Sequence, residues 1–543
     1  MQRSDTRQAA DLDDTDVLDG VGHLGDLVEG LYGPDGRYKL VETADGAVVA
    51  SDLHRLLDTL DVEHPGAFIT AHAAVQQKES AGDGSSTLVL LARGLAERAQ
   101  QLLEEGFHRA TVAQGYDQAR RIVLDALADL GTTVPDLADP RGRAAVRSVL
   151  GGDGRTDAVV DAAIEAAELV ASERHAIDGG LELDQIEFRQ VATSAAPSVE
   201  LLRGVFLEKE PLTENTPTEI DTPRIAVVGG GKKAGTGIEE RELRRLGGSK
   251  GKGRTEVQMD PKTPEDLEAF RQYEADDVRE QVQRLVDVDV DAVFTTMGIS
   301  DRAIAALDDA GIVAFRNLMP DVARRLARAT GGTMVMHLDD LGPDDVGTAG
   351  RLVVETHEDE PFVRVDGCQS GNVGTLLVSG TVEAGTAAFQ RDVMTAAVTG
   401  LAILDGERLV PGGGGTLTHL AMVVRDAATG VPDRSAIVME AYADALEDVP
   451  RTLARNAAGD ALDVVTSLRA GGVDAVFDGD ARTVRPAGTD GPFDRASVVE
   501  RAIDSATSVT RQIVRIDEVL PANTETDEVT EYDLQPDPER DAI

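Results

Sequence analysis

The chain has 543 residues, too many for one ordinary hydrophobic core, so roughly three domains are expected. It carries 98 acidic against 53 basic residues, a formal charge of −45, and only 8 of the basic residues are lysine. Such a field repels nucleic acid and anionic membrane. A single cysteine, Cys368, excludes a disulfide framework and fits a reducing interior.

The acidity runs through every segment, which favours adaptation to molar salt over the binding of a basic partner. No cationic leader with an apolar stretch and no uninterrupted apolar run near ~18 residues is present, so a cytoplasmic location is expected.

Residues 1–130 read as mostly helical. The exception is "RYKLVETADGAVVASD", whose two β-branched runs joined at Asp45-Gly46 predict a hairpin. "KESAGDGSSTLVLLARGL" follows, with Asp83 between two glycines and then Ser85, Ser86 and Thr87. Leu88, Leu91, Ala92, Leu95, Ala99 and Leu102 fall at helical spacing, and Gly106 can close that helix. Two readings fit its mouth. The hydroxyls and the carboxylate can cap orphan N–H groups, or the helix start can cradle a phosphate while the carboxylate holds Mg²⁺.

Residues 131–200 read as helical with Gly/Asp breaks, and "LEKEPLTENTPTEIDTP" as a connector. Residues 224–350 change character: "RIAVVGG", "DAVFTTM" and "GIVAFRN" read as strands alternating with helices, a small α/β domain. Within it, "TPEDLEAFRQYEADDVREQVQRL" offers Leu267, Phe270, Tyr273, Val278, Val282 and Leu285 as one helical face. "VVGGGKKAGTG" imitates a phosphate loop but has Lys233 where GxxxxGK[ST] needs Ser or Thr. The basic loop 247–254, "GGSKGKGR", has no assigned role. From 385 to 510 the chain is helical again, "RQIVRIDEV" reads as a strand, and residues 521–543 as an acidic disordered tail. A helical pattern that resumes after an α/β insertion implies one discontinuous domain built from both ends.

In chain order, "GPDGR", "DVEHPGAF", "KESAGDGSST", "GFHRATVAQGYDQA", "LDDLGPDDVGTA", "VPGGGG", "DVPRTLARNA" and "RQIVRIDEVL" resemble the group II chaperonins, the thermosome and eukaryotic cytosolic chaperonin family. The resemblance implies a multidomain α+β fold. A mostly helical, discontinuous equatorial domain would take residues 1–130 and 385–520, and a small intermediate domain 131–204 and 346–384. Residues 205–345 would form an α/β apical substrate-binding domain whose helical protrusion serves as a lid. It also implies an ATP- and Mg²⁺-dependent machine that folds non-native polypeptides inside a lidded double ring of like or related subunits. In the family, the hairpin at 37–50 and the strand-like "RQIVRIDEV" would pair across neighbouring subunits.

By the same resemblance the nucleotide site comprises Asp83 (also the metal ligand), Gly84, Ser85, Ser86 and Thr87, the Gly33, Pro34 and Gly36 loop, the run Gly412, Gly413 and Gly414, and Asp474 near the ribose. Asp52 matches the aspartate that helps place the attacking water. Leu53 and Arg55 depart from the family pattern beside it, as does Asp35, whose carboxylate would repel polyphosphate. The second catalytic carboxylate falls by register on Thr395 or Met394, neither a base. Asp392, one turn earlier, is the substitute, with a solvated helix carboxylate as the favoured reading for it. Two expectations follow: an ATP-driven folding subunit, or a largely non-hydrolysing structural subunit of mixed rings, the latter preferred on these departures.

Overall fold

The computed structural model describes residues 16–33, 35–43, 46–50, 52–151, 156–171, 186–192, 198–229, 264–357, 360–380 and 386–517. The N-terminal part is α1 (Asp16–Glu29), a hairpin β1 (Lys39–Thr43) and β2 (Gly46–Ala50), α2 (Leu53–Thr59), α3 (Pro65–Ala81), α4 (Ser85–Glu104) and α5 (Arg109–Ala128). The hairpin expected at residues 37–52 is there, and it pairs Lys39 with Ala50 and Thr43 with Gly46, so Gly46 is the first residue of β2 and not a central residue of an Asp45-Gly46 turn. Pro65 at the first turn of α3 loses no hydrogen bond there.

Next come α6 (Pro140–Ser148), α7 (Asp157–Ala171), β3 (Ile186–Ala192), β4 (Ser198–Leu202), β5 (Val205–Glu208), β6 (Glu219–Asp221) and β7 (Arg224–Val228). After them stand α8 (Pro264–Asp287), β8 (Ala292–Thr295), α9 (Asp301–Asp309), β9 (Val313–Phe315), α10 (Pro320–Thr330), β10 (Met334–Val335) and β11 (Gly347–Thr348). The expected α/β unit is there. β10, β7, β8 and β9 lie parallel in that order, and β11 adds antiparallel to β7. Ile225, Phe294 and Phe315 pack on one face of this sheet, and Val228, Val293 and Ala314 on the other. Strands buried on both faces read as continuous apolar runs, which is why "IAVV" and "AVF" carry the signal. Val278, Val282 and Leu285 of α8 join the second face. The side chains of Leu267, Phe270 and Tyr273, and the segments 230–263 and 518–543, lie outside the described residues.

β12 (Arg351–His357) and β13 (Glu360–Asp366) form a sheet in the order β5-β13-β12-β6, and β14 (Gly374–Gly380) pairs with β3 and β4. β3 and β4 are absent from the helical reading of residues 131–200. Their pairing is with residues 374–380, distant in sequence, so local pattern did not carry it.

The C-terminal part is α11 (Thr386–Leu404), β15 (Leu409–Pro411), α12 (Gly415–Ala428), α13 (Ser435–Asn456), α14 (Ala461–Gly471), β16 (Ala475–Asp478), β17 (Thr483–Pro486), β18 (Phe493–Arg495) and α15 (Ala496–Val514). One core unites both ends of the chain: Val21, Leu91 and Tyr116 pack with Leu420, Tyr442 and Ile503. Here one expectation is corrected. Residues 511–514 of the strand-like "RQIVRIDEV" are the last turn of α15, because Ile513 and Val514 occupy its buried face. Tertiary burial on a helical stripe outweighs the β-propensity of a short run.

Candidate functional site

α3 stops where Gly82 turns left-handed at φ 74 and its N–H reaches the Lys78 carbonyl at 2.8 Å. Gly84, at φ 86, then caps α4 with no side chain. Both conformations are ones that only glycine enters freely. The Asp83 carboxylate accepts from the Gly84 N–H at 2.7 Å, outside the helix, so it does not cap α4.

The hydroxyls do not cap α4 either. Ser85 donates to the Ala74 carbonyl at 2.8 Å, and Thr87 shares a 3.3 Å bond with the Tyr32 hydroxyl. Leu88 makes the first helical bond, to Gly84, which leaves the N–H groups of Ser85, Ser86 and Thr87 without acceptors among the described residues. Three open donors and the positive helix end form an anion seat. Buried Gln77 supports the loop from beneath, donating to the Asp83 carbonyl at 3.0 Å.

Across from this loop lies α11. Lys78 Nζ donates to Thr395 Oγ1 at 2.9 Å, and Thr395 donates to the Gly82 carbonyl at 3.4 Å. These residues, with Arg391, Met394 and Val398, line a cleft of about 400 Å³. Arg391 forms an ion pair with Asp52, which also caps α2 by accepting from the Arg55 N–H at 3.0 Å. Burial pushes the Asp52 carboxyl up, but the Arg55 amide and Arg391 outweigh it and hold it below the usual carboxylate range.

Asp392 differs. It is half-buried rather than solvated, and burial pushes it up to about 6, with Lys78 opposing and Asp52 and Asp83 adding to the rise. The two carboxylates are therefore pushed apart: Asp52 is ionised and fully partnered, while Asp392 titrates near neutrality. Thr395 holds the register position expected for the base, and Asp392 faces the same charges from one turn earlier.

The glycine run lies on the other side of the loop. Gly413 and Gly414 have φ 56 and 79, and a Cβ on Gly414 would sit 2.4 Å from Pro450. The Gly413 carbonyl accepts from Phe477 N–H at 3.3 Å. Small size here serves close approach of the protein's own backbone. Gly414 also caps α12 without a side chain, so a second helix starts open.

Asp494, which sequence reasoning missed, stands at this junction. A Cβ on Gly412 would lie 3.2 Å from its Oδ1. Its side chain keeps water access at the rim yet is crowded by protein, and that crowding, with the Asp83 charge beside it, pushes it up to about 7. "GPFDR" gives no hint of it, since only folding sets β18 against β15. Arg495, buried, donates to the Ala81 carbonyl at the end of α3.

Gly33, at φ 89, and Gly36 form a loop closed by Arg37 N–H to the Gly30 carbonyl at 2.7 Å. The loop is tied to α13 by the Asn456 amide, which reaches the Tyr32 carbonyl at 2.7 Å. Pro34 lies outside the described residues. Asp35 is exposed, which lets water screen its charge. Of the other departures, Leu53 is a buried core residue and Arg55 is exposed. Asp474 is exposed at the end of the turn Gly472–Asp474, one residue before β16, which backs the glycine run.

A fold with two chain ends in one core, an α/β insertion and a glycine-capped, open helix start defines a discontinuous multidomain α+β class. The TCP-1/cpn60 chaperonin family matches residues 24–524, and the chain belongs to that family. It is 31% identical over 506 residues to thermosome subunit 3 of Haloferax volcanii, covering 92% of this chain and 93% of that protein. Thermosome subunit alpha of Halobacterium salinarum is 30% identical over 508 residues, 92% of this chain and 86% of the relative. Thermosome subunit beta of Methanothermobacter thermautotrophicus is 29% identical over 513 residues, 92% and 90% respectively. No helix among the described residues is long and apolar enough to cross a membrane.

Proposed function

We propose that this chain is an ATP-binding chaperonin subunit that assists the folding of non-native proteins in a lidded, cytoplasmic ring with like or related subunits, in a salt-rich interior. The observation that carries nucleotide binding is the open N-terminus of α4, whose three free N–H groups and glycine cap face Asp83. The residues fit Mg²⁺-ATP. No cluster of three metal-ligating side chains occurs among the described residues. That suits Mg²⁺, which commonly takes one or two carboxylates plus phosphate oxygens and water. Asp83 would hold the ion, and the amides of Ser85 to Thr87 the phosphates. Bound nucleotide would supply the phosphoanhydride whose cleavage drives the cycle.

Asp392 is the general base in this reading, since it accepts a proton near neutral pH where Asp52 is locked in an ion pair. That restores hydrolysis to the subunit despite Thr395. The equatorial, intermediate and apical assignments of the sequence are kept, supported by the core shared between the two chain ends and by the separate parallel sheet. The test is calorimetric titration of Mg-ATP into the Asp83→Ala chain in molar KCl. Mg-dependent binding is expected to vanish with the circular dichroism unchanged, and binding as tight as the parent's would sink the reading.

A further inference from the structure

Lysine is rare here, 8 residues against 45 arginines in the total of 53. Among the described residues the Lys/Arg ion pairs are made by arginine, as at Arg93, Arg425 and Arg511, and lysine makes none. Lys78 is nevertheless close enough to Asp392 for its charge to oppose the rise that burial gives that carboxyl. A lysine in the last turn of a helix ordinarily favours the helix dipole and the terminal carbonyls. Lys78 instead reaches across to α11, where its one hydrogen bond is to the neutral Thr395 hydroxyl at 2.9 Å. An ammonium has three donors, so two remain for the cleft it lines with Gly82 and Arg391. Arg391 is committed to Asp52. Of the cleft's two cations, Lys78 is the one that makes no ion pair with a carboxylate among the described residues. Its backbone carbonyl accepts from Gly82, which fixes its stem in the last turn of α3, directly before the loop that leads to the anion seat.

We propose that the Lys78 ammonium is a ligand of the terminal phosphate of the bound nucleoside triphosphate, held ready by Thr395 in its absence. The proposal rests on the nucleotide reading above. A compact ammonium with rotatable donors suits a phosphate oxygen as a point charge, whereas the guanidinium that lines this cleft is drawn to a carboxylate, as Arg391 is to Asp52. The Thr395 hydroxyl fits the same role, since it orients the ammonium without neutralising it. The site Thr395 occupies is then one that positions a phosphate ligand, with proton transfer left to Asp392.

The experiment titrates Mg-ATP and Mg-ADP into the full chain in molar KCl, as wild type, Lys78→Gln and Asp83→Ala. Lys78→Gln is expected to weaken Mg-ATP by about tenfold or more and Mg-ADP by less than about threefold, the loss of one charge-assisted bond made only to the terminal group. Equal weakening of both nucleotides, or of neither, overturns the assignment to the terminal phosphate. A second measurement uses the wild-type chain: acylation of the Lys78 amine, read by peptide mapping, should be slowed by Mg-ATP and not by Mg-ADP. Equal protection by the two, or none, also overturns it. If Asp83→Ala binds Mg-ATP as wild type does, the nucleotide reading itself fails. If Asp83→Ala loses binding and Lys78→Gln does not, only the role of Lys78 is refuted.

Discussion

Replacing Asp392 by Asn isolates the carboxylate that the geometry makes the proton acceptor. Its rise from 3.8 to about 6 corresponds to roughly 3 kcal/mol if fully realised, and the carboxylate's partial wetting brings this to roughly 1–3 kcal/mol. The sign follows from linkage. The folded state holds this proton more tightly than the unfolded chain, so the stability it lends is complete below about 3.8 and is lost as pH rises through about 6. At neutral pH the ionised group is a burden on the fold, which Asn removes.

Asp392→Asn is therefore expected to be no less stable than wild type in urea at pH 7.5, and more stable by up to that amount. Its ATP turnover should fall by about 10²- to 10⁴-fold, the usual worth of a positioned base. In wild type, kcat/KM for phosphate release in molar KCl should climb with pH through about 6 and then level, since the free protein must carry the ionised base. An Asn variant with wild-type turnover refutes the assignment, as does a pH profile flat from mildly acidic to neutral. A variant that is both inactive and much less stable would mark Asp392 as structural.

Two further outcomes follow from buried groups away from the site. Glu447 is fully buried and paired with Arg425 at 2.7 Å, Arg451 at 3.1 Å and Arg469, which joins α12, α13 and α14. Burial raises its pKa, but Arg469 and Arg425 outweigh this and hold it below the usual range. Its stabilisation is then present above the unfolded value and lost as pH falls through the depressed folded one. Glu447→Gln should lower unfolding free energy in urea at pH 7 by about 1–3 kcal/mol, since Arg425 and Arg451 keep Asp444 and Asp448 while Arg469 loses the carboxylate it bonds, and no measurable change would refute the clamp. Cys368 is buried, and burial, with Asp366 beside it, pushes its thiol up to about 12. A thiol-disulfide reagent at pH 8 should label the native chain on the order of 10³-fold more slowly than the chain in guanidinium chloride, and equal rates would refute it.

What the sequence disclosed is what short-range pattern encodes. The spacing of Leu88, Leu91, Leu95 and Ala99 runs through α4 as buried residues, and the runs around Ile225, Phe294 and Val313 are the strands of the parallel sheet. The Gly-Asp-Gly stretch also pointed to the anion seat, although its hydroxyls were expected to meet the phosphate. Two of the three are engaged by the Ala74 carbonyl and Tyr32, while the amides of Ser85 to Thr87 stand open among the described residues. What stayed hidden depends on residues distant in the chain. Lys78 and Thr395 are 317 positions apart, and Asp52 and Arg391 are 339 apart. Register against the glycine run led to Thr395, but a helix presents residues three apart on one face. That is how Asp392 comes within reach of the charges of Lys78, Asp52 and Asp83, although linear counting passed it over.

The charges of the site explain why these particular residues are needed. Burial is the main cause that raises Asp392 and Asp494, and the charge of Asp83 adds to the rise of both, as that of Asp52 adds to Asp392. Against them stand Arg391, spent on Asp52, Arg495, spent on the Ala81 carbonyl, and Lys78. A triphosphate adds several more negative charges, and at close range like charges repel by about 1 kcal/mol or more even in water. Bulk salt does not remove this, because screening is weak for partly buried groups within a few ångströms of one another. Binding therefore demands cations inside the site. In the proposed reading Mg²⁺ at Asp83 would supply one, and the open amides of α4 add a partial positive charge. The proposed Lys78 contact would supply another on the side where a terminal phosphate would face Asp392, so that a carboxylate able to take a proton from water could stand near a phosphate without excluding it.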